Sequence, residues 1–169
     1  MNFQRGDRVV YGVQGVCRIV DVECRKVDHK MVEYFVLAPC GQGDARYYVP
    51  MHNQIAVSKM RRLLTAGELE ALLTSEEVKR DCWIPEEHQR RDRYRTLIAQ
   101  GTCGELLGMI RCLHRQRQLQ LEAGRKFHLC DENFLKDARR VVSNEVAQIL
   151  EVSTAEAEEY LRTRLENES

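Results

Sequence analysis

No C-x-x-C pair occurs among the seven cysteines, no apolar run approaches the ~18 residues of a membrane span, and neither sign of charge is in excess. Each absence excludes a class. The cysteines (Cys17, Cys24, Cys40, Cys82, Cys103, Cys112 and Cys130) are odd in number and scattered, which argues against a disulfide framework. The opening MNFQRGDRVV has no signal-peptide core, so a reducing, cytoplasmic setting is expected, with no membrane association. With 26 basic and 26 acidic residues, bulk charge does not announce a nucleic-acid binder. Only three prolines interrupt a chain that is 43% hydrophobic and 31% charged, a globular composition.

Catalytic signatures are missing as well. There is no G-x-x-x-x-G-K-[ST], G-x-G-x-x-G, H-E-x-x-H or G-x-S-x-G. The closest Cys/His pairs, Cys112-x-His114 and His128-x-Cys130, have poor ligand spacing and read better as core positions. The expectation is a non-enzyme with no catalytic residues, cofactor, metal or small-molecule substrate.

What is present falls into two halves, read as domains 1–60 and 61–169. The first is strand-like. Arg8–Tyr11 is a short apolar run, and GVQG follows with Gly12 and Gly15 suited to a positive-φ turn. Val16–Val27 alternates loosely, with Val16, Arg18, Val20, Val22 and Cys24 on one face. Asp28-His29-Lys30 is a polar turn, Val32–Ala38 a β-branched and aromatic strand, Arg46–Val49 another, and Ile55–Val57 a fifth. Short strands at close spacing predict a small antiparallel barrel whose exposed edges suit docking rather than catalysis.

The second half is helical. Capping boxes stand at Thr65/Glu68, Thr102/Glu105 and Ser153/Glu156, and Pro85 with Glu86 and Glu87 marks another start. Gly101 and Gly124 are stops. These signals predict about five helices, near 65–73, 85–99, 103–123, 131–150 and 154–166. The fold class is therefore α+β: a small β-barrel followed by an all-α domain.

Charge is unevenly spread. Residues 79–126 hold eleven lysines and arginines against six acids, while 151–169 hold six glutamates against two arginines. The basic run suits phosphate contacts, or it is a solvated helix face. Trp83, the chain's one tryptophan, stands beside it, either as a core staple or as an exposed ring able to wedge between bases.

Several motifs together resemble the CarD/CdnL family of bacterial transcription regulators, whose N-terminal domain is shared with the transcription-repair coupling factor. They are F-x-x-G-D-x-V-V-Y at Phe3–Tyr11, Gly15, E-Y-x-V-L at Glu33–Leu37 and Val49-Pro50. In the helical half, Arg93-Tyr94, the helix ending at Gly101, the L-x-x-x-I helix after it and the run Asp131–Arg139 are similar. The resemblance implies a Tudor-like domain that docks on the RNA polymerase β subunit, here through Arg25, Arg46, Tyr48, Val49 and Pro50. It implies a helical domain that contacts promoter DNA and stabilises the open complex, here through Trp83, Arg90, Arg91 and Arg93. Two positions depart from the family pattern. Tyr48 stands where an arginine is common, and Arg90 where the family tryptophan is usual, with Trp83 two turns upstream.

Two other readings compete with a polymerase-bound regulator. One is a protein-interaction module without DNA contact. The other is a helix-turn-helix repressor, for which a clear recognition helix is wanting.

Overall fold

The computed structural model describes residues 2–41 and 43–166. The chain divides into two compact units, Met1–Leu63 and Leu64–Ser169.

In the first unit, β1 (Arg8–Tyr11), β2 (Val16–Val27), β3 (Lys30–Pro39), β4 (Tyr47–Pro50) and β5 (Met60–Arg62) form one antiparallel sheet in the order β4-β3-β2-β1-β5. A 3-10 turn at Gly12–Gln14 joins β1 to β2, with Gly12 at φ 49° and Gly15 at φ 76°. Asp28 (φ 47°) and His29 (φ 66°) form a two-residue loop closing the β2–β3 hairpin, as the strands' right-handed twist favours.

The sheet is open, not the closed barrel expected from the sequence. Its edges, β4 and β5, are four and three residues long, and they share no ladder among the described residues. The chain between them coils into α1 (Gln54–Ser58), where the sequence pattern predicts a fifth strand at Ile55–Val57. Asn53 starts that helix by accepting hydrogen bonds from the Ile55 and Ala56 amides, and Ala56 and Val57 pack on the sheet core. The fifth strand is instead Met60–Arg62, paired to β1.

The β2 alternation also differs. Cys17 and Ile19 enter the core, while Arg18, Val22 and Cys24 are exposed. A register shift between Ile19 and Asp21 leaves Val20 as an extra residue, a bulge that disturbs a strict period of two. The core is Val9, Cys17, Ile19, Phe35, Leu37, Val49 and Met60.

The second unit has six helices among its described residues: α2 (Ala66–Leu73), α3 (Glu76–Lys79), α4 (Glu87–Gln100), α5 (Cys103–Glu122), α6 (Leu129–Leu150) and α7 (Thr154–Glu166). The sequence signals predict about five; α3, a four-residue turn after Ser75, is the addition. Thr65/Glu68 and Thr102/Glu105 form reciprocal capping boxes, and the Ser153 and Glu156 side chains bond each other's backbone N–H. α4 begins two residues beyond Pro85, capped by Glu86, which accepts from the His88 amide. α5 packs against α3 and α6, and α6 against α4 and α7, around Leu106, Leu107, Leu113, Leu135, Val142 and Val146. Gly104 leaves room for the Glu77 side chain of α3: a Cβ there would stand 2.5 Å from its carboxylate.

Candidate interaction surfaces

On the sheet unit, β2 and β4 flank β3. Arg25 of β2 reaches across β3 to place its guanidinium 4.1 Å from the centroid of the Tyr48 ring on β4. Glu23 holds the other side of that guanidinium, at 3.0 and 2.8 Å, and Tyr34 meets Tyr48 edge-on at 6.4 Å. Arg25 and Tyr48 are both exposed, so this is a surface cluster of a cation on an aromatic ring beside the edge strand. Arg46, just before β4, is exposed and donates to the Ala45 carbonyl at 2.9 Å.

Val49 has a different place. Its side chain is wholly buried in the sheet core, so only its backbone, on an edge strand, can meet a partner. Pro50 ends that strand half-buried.

Residues 3–63 match the family model of the CarD-like/TRCF RID domain. The sheet unit is similar to this domain along nearly its whole length. The matched segment ends at Leu63, where the sheet unit itself ends. CarD-like RID domains are protein-interaction domains that engage the RNA polymerase β subunit. No curated protein matches the chain. The helical unit lies outside the matched segment, so its chemistry rests on its own geometry.

In that unit the candidate residues separate. Trp83 is half-buried. Its amide donates to Asp81 Oδ1 at 3.1 Å, and one face of its ring is covered by the Arg90 guanidinium, 4.3 Å from the ring centroid. Arg90 is 5% exposed. Its Nε and Nη2 donate to the two carboxylate oxygens of buried Asp131 at 2.9 and 2.8 Å, and Nη1 donates to the Ile84 and Pro85 carbonyls. Every nitrogen of that guanidinium is engaged inside the protein. The expectation of a phosphate contact at Arg90 is therefore corrected: it is an anchor that holds the Trp83–Pro85 segment.

Arg91 pairs with Glu87 on the same helix, and exposed Arg93 meets Glu105 at 3.4 Å. Their charge is thus partly neutralised locally. A less compensated basic site lies elsewhere. Lys79, Arg80, Arg111 and Arg115 line one cavity of about 540 Å³ between the end of α3 and α5. None of the four has an ion-pair partner among the described residues, although Asp81, Glu122 and Glu166 share the wall. All four belong to the basic run read from the sequence. Their convergence is not legible there, because it depends on how α3 packs on α5.

No group of three His, Cys, Asp or Glu among the described residues could hold a metal ion. Among the same residues, no helix is long and apolar enough to cross a membrane.

Proposed function

We propose that this protein is a transcription regulator that docks on the RNA polymerase β subunit and stabilises the promoter open complex. The match of residues 3–63 to a polymerase-interacting domain carries the reading. The docking face is β4 with the Arg25–Tyr48 cluster beside it, and Arg46, the Val49 backbone and Pro50 along the same edge. An edge strand offers unpaired backbone groups for strand addition, and an exposed cation fixes partner and register. On the helical unit, the half-buried Trp83 is the wedge, with Arg91 and Arg93 nearby on α4. The cleft cations Lys79, Arg80, Arg111 and Arg115 supply phosphate contacts. Such contacts carry little base information, so DNA binding is largely independent of sequence.

A second reading has support from the arginines of α4. Arg90 is internal, and Arg91 and Arg93 are held by acids. On that reading the chain binds polymerase and the helical unit never touches DNA. Capture of the chain by RNA polymerase, run with and without promoter DNA, separates the two. Capture in both, with an open complex whose lifetime rises with added protein, supports the first reading. Capture without any effect of or on DNA supports the second. No capture overturns both.

A further inference from the structure

Two cysteines thirty positions apart meet in the helical unit. Cys82 lies in the segment between α3 and α4, and Cys112 on α5. The Cys82 thiol sits 3.6 Å from the Gly108 carbonyl, one turn before Cys112 on the same helix. The Cys112 thiol sits 3.6 Å from Asp81 Oδ1, the side chain next to Cys82. Each thiol thus lies against the stretch of chain that carries the other. Cys82 is exposed and Cys112 is buried. An exposed cysteine and a shielded one brought against each other's chain are the arrangement of an attacking and a resolving thiol.

We infer that Cys82 and Cys112 form a reversible disulfide under hydroperoxide, a modification site that fastens the Trp83 segment to α5.

The chemistry balances with peroxide as the named oxidant. The Cys82 thiolate attacks one peroxide oxygen. The O–O bond breaks, hydroxide leaves, and Cys82 becomes a sulfenic acid. The Cys112 sulfur then attacks the Cys82 sulfur. The S–O bond breaks, and the oxygen departs as water with the Cys112 proton. Two thiols lose two electrons, and the peroxide gains them.

Local electrostatics favour these roles. The neighbouring Cys112 thiol holds the Cys82 thiol below its ordinary range, with help from the Arg93 charge, against burial and the Asp81 carboxylate. The same contact and burial push Cys112 up, so it keeps its proton until the second step. The other neighbouring pair is biased the opposite way. Burial pushes Cys17 up to about 11, and Cys40 is raised by burial as well. A thiol must ionise to attack, which favours Cys82 over Cys17 and Cys40.

The bond has a consequence for Trp83. It is the next residue in the chain, and its amide is bonded to Asp81, whose carboxylate also accepts from Cys112. A bond of about 2.05 Å between the two sulfurs would fasten this segment to α5.

The test uses the full chain with stoichiometric hydrogen peroxide. Titratable thiols should fall from seven to five, the mass should drop by two hydrogens, and a peptide map should join Cys82 to Cys112. Dithiothreitol should restore all three. Emission from the chain's one tryptophan should change on oxidation and revert on reduction. In Cys112→Ser the sulfenic acid has no resolving partner, so a dimedone-type probe should label Cys82. A bridge between other cysteines, retention of all seven thiols, or dimedone labelling confined to sites other than Cys82 would overturn the inference. The peptide map needs only the unaltered protein, so it decides the matter even where a variant folds poorly.

Discussion

Arg90 grips Trp83 from inside the protein: its guanidinium lies 4.3 Å from the indole centroid while its donors are spent on Asp131 and on the Ile84 and Pro85 carbonyls. One buried side chain thus ties α4, α6 and the segment carrying the tryptophan. Removing a single partner strands a charge. Asp131→Asn or Arg90→Met should lower stability by about 3–5 kcal/mol, measured by urea unfolding. Arg90→Lys should recover little, since an ammonium cannot make the bidentate contact or stack on the indole. A loss below about 1 kcal/mol would show that the pair is not buried as described.

His114 predicts a pH dependence. Burial pushes its pKa below the ordinary imidazole range, opposed by Glu166, whose carboxylate is 3.7 Å from Nδ1, and aided by Arg139 and Arg117. The folded state therefore keeps His114 neutral. As pH falls through the unfolded value of ~6.5, the unfolded chain takes up the proton first, and stability declines. Glu70, held below its ordinary range by hydrogen bonds from Arg164 and Tyr160, acts in the same direction only at lower pH, below about 4.5. His114→Asn should remove the part of the decline that sets in as pH falls through about 6.5 and leave the part below about pH 4.5, seen in melting midpoints across both ranges.

Arg25 tests the docking face. Reversing it with Arg25→Glu places like charge beside Glu23 and takes the cation off Tyr48. Affinity for the polymerase β subunit should fall about tenfold or more, mostly through faster dissociation, with the melting midpoint nearly unchanged because the side chain is exposed. Tyr48→Phe should bind almost normally, and Tyr48→Ala should lose part of what Arg25→Glu loses. Unchanged affinity for Arg25→Glu would remove this cluster from the interface.

How far these sites can be read from the sequence depends on the range of the contacts. Local devices are legible: the Thr65 and Thr102 boxes, the stop at Gly101, and the turn glycines Gly12 and Gly15 each act within a few residues. The family resemblance of the sheet unit is legible too, because its motifs lie in continuous runs. Arg90 misleads because its partner Asp131 is 41 residues away, and a sequence of arginines looks the same whether one is internal or not. The Val20 bulge and α1 escape for a related reason. Both are set by how β2 and the β4–β5 connection fit the core, and local β propensity points the other way.

The cleft cations offer a separable test of DNA contact. Each phosphate neutralised contributes about 0.9 to the slope of log affinity against log salt. Replacing Lys79, Arg80, Arg111 and Arg115 with serine should flatten that slope by roughly 2–4, whereas replacing Arg91 and Arg93, which already face Glu87 and Glu105, should change it by less than about 1. Equal slopes for all variants would favour the reading in which the helical unit does not meet DNA.

Trp83→Ala addresses the wedge directly. The ring is half-buried, and one of its faces rests on a guanidinium. Truncation therefore loses a cation–π contact of about 1–2 kcal/mol rather than the ~3–5 kcal/mol of a fully buried tryptophan. Arg90 keeps its bonds to Asp131, so the fold should persist with a modestly lower melting midpoint. If the ring wedges into a base step, the same change should shorten the open-complex lifetime, because nothing then offsets the unstacking energy. Trp83→Phe separates the two roles: it retains an aromatic face on Arg90 and should restore stability more fully than lifetime, since the smaller ring covers less of a base step. An open-complex lifetime identical in wild type and Trp83→Ala, with polymerase binding intact, would confine Trp83 to packing.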